Sequence, residues 1–112
     1  MWLGYSSQGP GQPKPGWEKP DFCAASHFCE DDDAFSPNTG TSAACGLTGG
    51  IVAALRSRWN STRVSPNQLK DILNQAARKP PGLQWSNNVG YRIGNGILDA
   101  RATFNELKRL FP

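Results

Sequence analysis

Ser42 stands in the tripeptide Gly40-Thr41-Ser42, and the chain continues at once as Ala43-Ala44-Cys45-Gly46-Leu47-Thr48-Gly49-Gly50-Ile51-Val52-Ala53-Ala54-Leu55. A hydroxyl-bearing tripeptide thus leads straight into an apolar helical pattern built from small residues. Such a layout puts a serine at the N-terminus of a helix. Unpaired backbone N–H groups and the positive end of the helix dipole favour negative charge there. Acyl transfer by a hydroxyl needs that environment, because its tetrahedral intermediate carries an oxyanion. The plainer reading of Thr41 and Ser42 is helix capping, since Ser and Thr side chains commonly bond the first N–H groups.

Flanking segments bear on that choice. Upstream stand Gly4-Tyr5-Ser6-Ser7-Gln8-Gly9-Pro10 and Lys19-Pro20-Asp21-Phe22, and downstream stands Gly90-Tyr91-Arg92-Ile93-Gly94-Asn95-Gly96-Ile97-Leu98-Asp99-Ala100. This order resembles the C-terminal third of a subtilisin-like serine protease, a subtilase. In that family a Ser-Ser-x-Gly-Pro strand end precedes Lys-Pro-Asp, the Gly-Thr-Ser nucleophile motif and a Gly-rich hairpin that leads into a last helix. The resemblance implies an α/β fold: the C-terminal portion of a three-layer subtilisin-like domain. It would comprise two short strands, a buried nucleophile helix, a surface helix, a hairpin and a closing helix. Residues 1–112 would form one partial peptidase domain, with a Gly/Pro-rich loop at 9–20.

By the same resemblance the activity is that of a hydrolase, a serine endopeptidase that works through an acyl-enzyme on a peptide or protein substrate. Ser42 would be the nucleophile and its own backbone N–H one oxyanion donor. Thr41 and Gly40 would lie beside it, and Asn38 and Thr39 along the leaving-group side of the cleft. Two departures stand out. Where family members usually have Pro and often His, this chain has Gly46 and Leu47. Glycine at that point costs about 1 kcal/mol of helix propensity relative to alanine. The second departure concerns the triad, which in subtilases runs Asp, His, Ser along the chain. Only 41 residues precede Ser42, and the resemblance places the Asp, the His and the oxyanion-hole Asn upstream of Met1. The single histidine, His27, falls where the family has no base. Serine is a poor nucleophile without a proton acceptor, so the isolated chain is expected not to cleave peptides. The missing upstream part of the protease domain is accordingly an expected partner.

Two rival functions remain open on the sequence. One is a non-catalytic subtilase-like interaction or scaffold domain that keeps Ser42 as a helix cap. The other is a small Cys/His metal-binding module. Cys23, His27, Cys29 and Cys45 are zinc-type ligands, although Cys-x3-His-x-Cys is a weak zinc spacing. The expectation is no metal site. Cys23 and Cys29 could instead close a short disulfide in an oxidising compartment, and Cys45 reads as a small buried hydrophobe. The acidic run Glu30-Asp31-Asp32-Asp33 reads as a solvated loop. Calcium is suggested only by the family resemblance, and no ligand is assigned to it.

Charge divides the chain. Residues 1–50 carry −4 and residues 51–112 carry +7. The cations of the basic half cluster where helices should end: Arg56 and Arg58, Arg78 and Lys79, Lys108 and Arg109. Cations at helix C-termini complement the dipole, and no aromatic-interleaved basic stripe is present. This placement argues against a nucleic-acid partner. No run reaches the roughly 18 apolar residues that a membrane span needs, so no membrane partner is expected, and compartment is left unassigned.

These residues must be positioned by a few elements. Strands are expected at 1–7 and 21–25. The nucleophile helix is expected over 41–58; it is apolar almost all round, which calls for burial on every side, and the two short strands and two further helices expected here can scarcely cover it. Ser65-Pro66-Asn67-Gln68 predicts the start of a second helix, with Ser65 as N-cap, Pro66 at the first position and Gln68 closing a capping box. Leu69, Ile72, Leu73 and Ala76 then share one face, and Pro80-Pro81-Gly82 ends the element. Residues 83–98 read as a hairpin. Asp99 should cap a last helix whose apolar side is Ala102, Phe104, Leu107, Leu110 and Phe111. Trp59 reads as a core anchor. Asn60-Ser61-Thr62 matches a glycosylation sequon, to which the sequence attaches no function.

Overall fold

The computed structural model describes residues 6, 7, 9, 19–28, 38–81 and 92–112. Three helices dominate them: α1 (Thr41–Arg56), α2 (Pro66–Ala76) and α3 (Ala100–Leu110). The expected strand at 1–7 falls largely outside the described residues, as do the acidic run and most of the Gly/Pro-rich loop.

Local chemistry sets the helix ends. The Ser65 hydroxyl accepts the Gln68 N–H at 3.1 Å, and the Gln68 side chain accepts the Ser65 N–H at 2.8 Å, which completes the expected capping box. Asp99 caps α3 by accepting the Ala102 N–H at 2.9 Å. At the far end of α2, the Lys79 ammonium donates to the carbonyls of Asn74 (3.1 Å) and Ala77 (3.2 Å). A cation here satisfies carbonyls that the helix leaves unpaired. α1 ends at Arg56, two residues before the expected limit; Ser57 still has right-handed helical angles, and the Trp59 N–H still bonds the Leu55 carbonyl four residues back.

The core lies between α2, α3 and the last turn of α1. Leu55, Trp59, Val64, Leu69, Ile72, Leu73 and Leu107 form one buried cluster. Trp59 is only 1% exposed, and its ring meets Phe104 edge-on at a centroid distance of 5.4 Å. Its indole N–H donates to the Phe111 carbonyl at 2.7 Å, tying the end of α1 to the end of α3. Trp59 is therefore the anchor its position suggested. The apolar face of α2 behaves as its spacing predicts. On α3, Leu110 is 45% exposed rather than packed, while Thr103 is fully buried. The Thr103 hydroxyl escapes an unsatisfied burial by donating to the Asp99 carbonyl at 2.8 Å.

α1 is left largely uncovered, as the small number of other elements led one to expect. Of its 16 residues only Leu55 is buried. Thr41, Ser42, Cys45, Gly46, Gly49, Gly50, Ala53 and Ala54 are exposed. The helix is apolar almost all round, yet among the described residues only Leu55 is in the packed core, with Ile51 and Val52 against it. Cys45, expected as a small buried group, faces out for the same reason.

Among the described residues extended backbone is scarce. Phe22 pairs with Gly94, Cys23 with Ile97 and Arg78 with Ile97, each as a single bridge. Residues 82–91, and with them most of the expected hairpin, lie outside the described residues; Arg92 and Ile93 are helical. Residues 94–97 instead join two distant segments, 22–23 and 78. Asn95 N–H and its side-chain amide both donate to the Asp21 carbonyl, at 2.8 and 2.9 Å. Gly94 has φ +66°, and a Cβ there would lie 2.5 Å from the Asp21 carbonyl carbon. Only glycine permits that approach. Lys19 and Lys70 both pair with the Asp21 carboxylate, at 3.0 and 3.5 Å, so the Lys-Pro-Asp segment is held to α2 as well.

Candidate active site

The site begins with a backbone feature. Gly40 is the N-cap of α1, with φ +89° and ψ 162°, and no side chain caps this end. That left-handed φ favours glycine. It turns the chain so that Thr41 and Ser42 occupy the first two helical positions, and the Ala43 N–H bonds back to the Gly40 carbonyl at 3.1 Å. Ser42 is exposed and is not the capping residue. The capping explanation of this hydroxyl therefore has no hydrogen bond behind it. No acidic residue sits in the first turn, so no carboxylate of the helix competes for its N–H groups. The tip can receive negative charge from outside.

Asn38 and Thr39 approach along the preceding segment. Asn38 is pinned to Phe28 twice: its backbone N–H donates to the Phe28 carbonyl at 2.7 Å, and its side-chain amide donates to the same oxygen at 3.3 Å. Thr39 is exposed, and its hydroxyl lies 3.0 Å from His27 Nε2. The pairing brings His27 to the residue three before Ser42, although 12 positions separate His27 from Thr39. No sequence signal indicated it. His27, read as a loop residue, thus helps hold the segment that carries Asn38, Thr39 and Gly40.

The cysteines do not converge. Cys23 and Cys45 are both free, so Cys23 is not in the disulfide considered with Cys29, which itself lies outside the described residues. Burial pushes the half-buried Cys23 thiol above its ordinary pKa, opposed by smaller charge and hydrogen-bond effects. Among the described residues no group of three or more His, Cys, Asp or Glu side chains could hold a metal ion, and no helix is long and apolar enough to cross a membrane. An open groove of about 290 Å³ lies between α2 and α3, lined by Gln75, Ala76, Ala102 and Glu106. None of the residues around Ser42 contributes to it.

An exposed serine at the first turn of a glycine-capped helix is an arrangement suited to serine-type acyl transfer. Comparison with protein families gives the same class: the subtilase family matches residues 5–92, most of the chain and all of the Ser42 segment. The chain belongs to the subtilase family and contains a serine-protease-like region. Neither the curated proteins nor the solved structures provide a match. The three helices and few bridges among the described residues are compatible with part of a subtilase domain.

Proposed function

We propose that the chain supplies the nucleophile-bearing part of a serine endopeptidase. The observation that carries this reading is the exposed Ser42 hydroxyl, free of capping duty, at the uncapped tip of α1. Ser42 Oγ attacks the scissile carbonyl carbon as its proton passes to a general base. The oxyanion forms against the Ser42 backbone N–H, where the helix dipole favours it. Collapse expels the amine and leaves an acyl-enzyme, which water hydrolyses. Gly40 sets the turn, Thr41 flanks the nucleophile, and Asn38 and Thr39 line the leaving-group side.

The proton acceptor in this proposal comes from a segment outside these 112 residues. The uncovered small-residue face of α1 supports that idea, since an all-apolar helix is stable when neighbours surround it. A serine-directed fluorophosphonate tests the proposal. The chain alone should stay unlabelled, because losing the base of such a triad costs about 10⁴- to 10⁶-fold in turnover. Co-expression with an upstream subtilase segment carrying the Asp and His should restore labelling, and Ser42→Ala should abolish it. Labelling of the chain alone would overturn the requirement for an outside base. Failure to label the assembled protein would favour the scaffold alternative.

A further inference from the structure

We propose that Asn60 is an acceptor site for N-linked oligosaccharide, displayed at the end of α1 remote from Ser42. Asn60-Ser61-Thr62 is the only Asn-x-Ser/Thr sequence in the chain, and its middle residue is not proline. Its placement is what a modification site requires. Asn60, Ser61, Thr62 and Arg63 are all exposed, while the residues on either side, Trp59 and Val64, are 1% and 0% exposed. A four-residue turn is thus held out into solvent by two buried anchors. Arg63 secures it further by donating to the Pro112 carbonyl at 2.9 Å.

Within the turn the acceptor amide is fixed. Asn60 Oδ1 accepts from the Thr62 N–H at 3.1 Å, the Thr62 hydroxyl at 2.6 Å and the Arg63 N–H at 3.1 Å. Two backbone N–H donors on one atom identify it as the oxygen, because an amide nitrogen cannot accept them. Nδ2 is then the atom that reacts, on the other arm of the same amide. The hydroxyl that the sequon demands is the one that completes this arrangement.

The reaction balances without redox chemistry. Nδ2 forms a bond to C1 of the reducing-end sugar of a lipid-diphosphate-linked oligosaccharide. The C1–oxygen bond to the diphosphate breaks, the lipid diphosphate leaves with that oxygen, and one Nδ2 proton passes to the transferring enzyme. α1 has 16 residues, which at about 1.5 Å per residue separates the glycan from the Ser42 tip by roughly 24 Å.

The test directs the full chain, behind a leader and a tag bearing its own control sequon, into the secretory lumen of a eukaryotic host. The expected result is a second mobility shift beyond that of the control. Peptide N-glycosidase should remove it and leave aspartate at position 60. Asn60→Gln and Thr62→Ala should abolish this shift. Ser61→Ala should keep it, and Thr62→Ser should keep it at reduced occupancy because the hydroxyl remains. An unmodified Asn60 beside a modified control sequon would overturn the proposal. So would a second shift that survives Asn60→Gln, or loss of helical circular dichroism in the glycosylated chain.

Discussion

The two ends of α1 are held by different means. Its C-terminal end enters a packed corner, where Leu55 and Trp59 meet α2, α3 and Val64. Its N-terminal end carries Ser42 and has neither a side-chain cap nor a buried residue. Gly46, Gly49 and Gly50 lie in this stretch, and among the described residues nothing outside their own turn of helix comes within 4 Å of where a Cβ would be. Each costs about 1 kcal/mol of helix propensity relative to alanine. α2 and α3, by contrast, have capping side chains, and each turns a buried face to the core: Leu69, Ile72 and Leu73 on α2, Thr103 and Leu107 on α3. The difference teaches that α2 and α3 carry the instructions for their own stability, whereas the upper part of α1 is written for neighbours. Small residues there let other backbone approach closely, and in our reading that backbone belongs to the part of the protease bearing the base.

The comparison can be broken most directly at Trp59. Trp59→Ala removes the edge-on Phe104 contact and the bond to Phe111, and it should destabilise the chain by about 3–5 kcal/mol. Urea denaturation followed by circular dichroism measures this, and a cost below about 1 kcal/mol would mean the corner is no core. Gly46→Ala should act in the opposite direction and gain about 0.5–1 kcal/mol, since the space is open and the backbone already helical. A loss on the same assay would show that the exposed face of α1 is covered in solution.

The thiols give the smallest effect and the finest distinction. Cys45 should react with a disulfide reagent at once, and Cys23 only slowly until the chain unfolds. The sign of the linked pH dependence follows from burial. The folded Cys23 binds its proton more tightly than the unfolded one, so this group's contribution should fall as pH rises through and above the ordinary thiol range. A contribution that rises with pH there, measured against a Cys23→Ala control, would contradict the burial of the group.

Much of this was legible in residues with local consequences. Ser65, Pro66 and Gln68 announced α2, Asp99 announced α3, and Trp59 announced the anchor, because capping and periodic burial depend on neighbours a few positions away. The start of α1 beside Ser42 was legible too, although its cap turned out to be the backbone of Gly40 and not a hydroxyl. What the sequence did not disclose was non-local. Residues 94–97 pair with segments far away in the chain rather than with each other, and His27 reaches Thr39 across 12 positions. The bare surface of α1 was legible as well, because an apolar helix reports the surroundings it suits, and the few other elements expected in this chain are too small to supply them.

The seam around Gly94 has a consequence for synthesis on the ribosome. Asp21 leaves the exit tunnel first, but the Asn95 amide that binds its carbonyl is 74 residues behind it. At roughly 5–20 residues per second that is a delay of about 4–15 s. Until then the Asp21 carboxylate can pair with Lys19 and, once it emerges, with Lys70, but the Asp21 carbonyl lacks the amide that binds it. The earliest part of this segment to be translated is thus among the last to be stitched in.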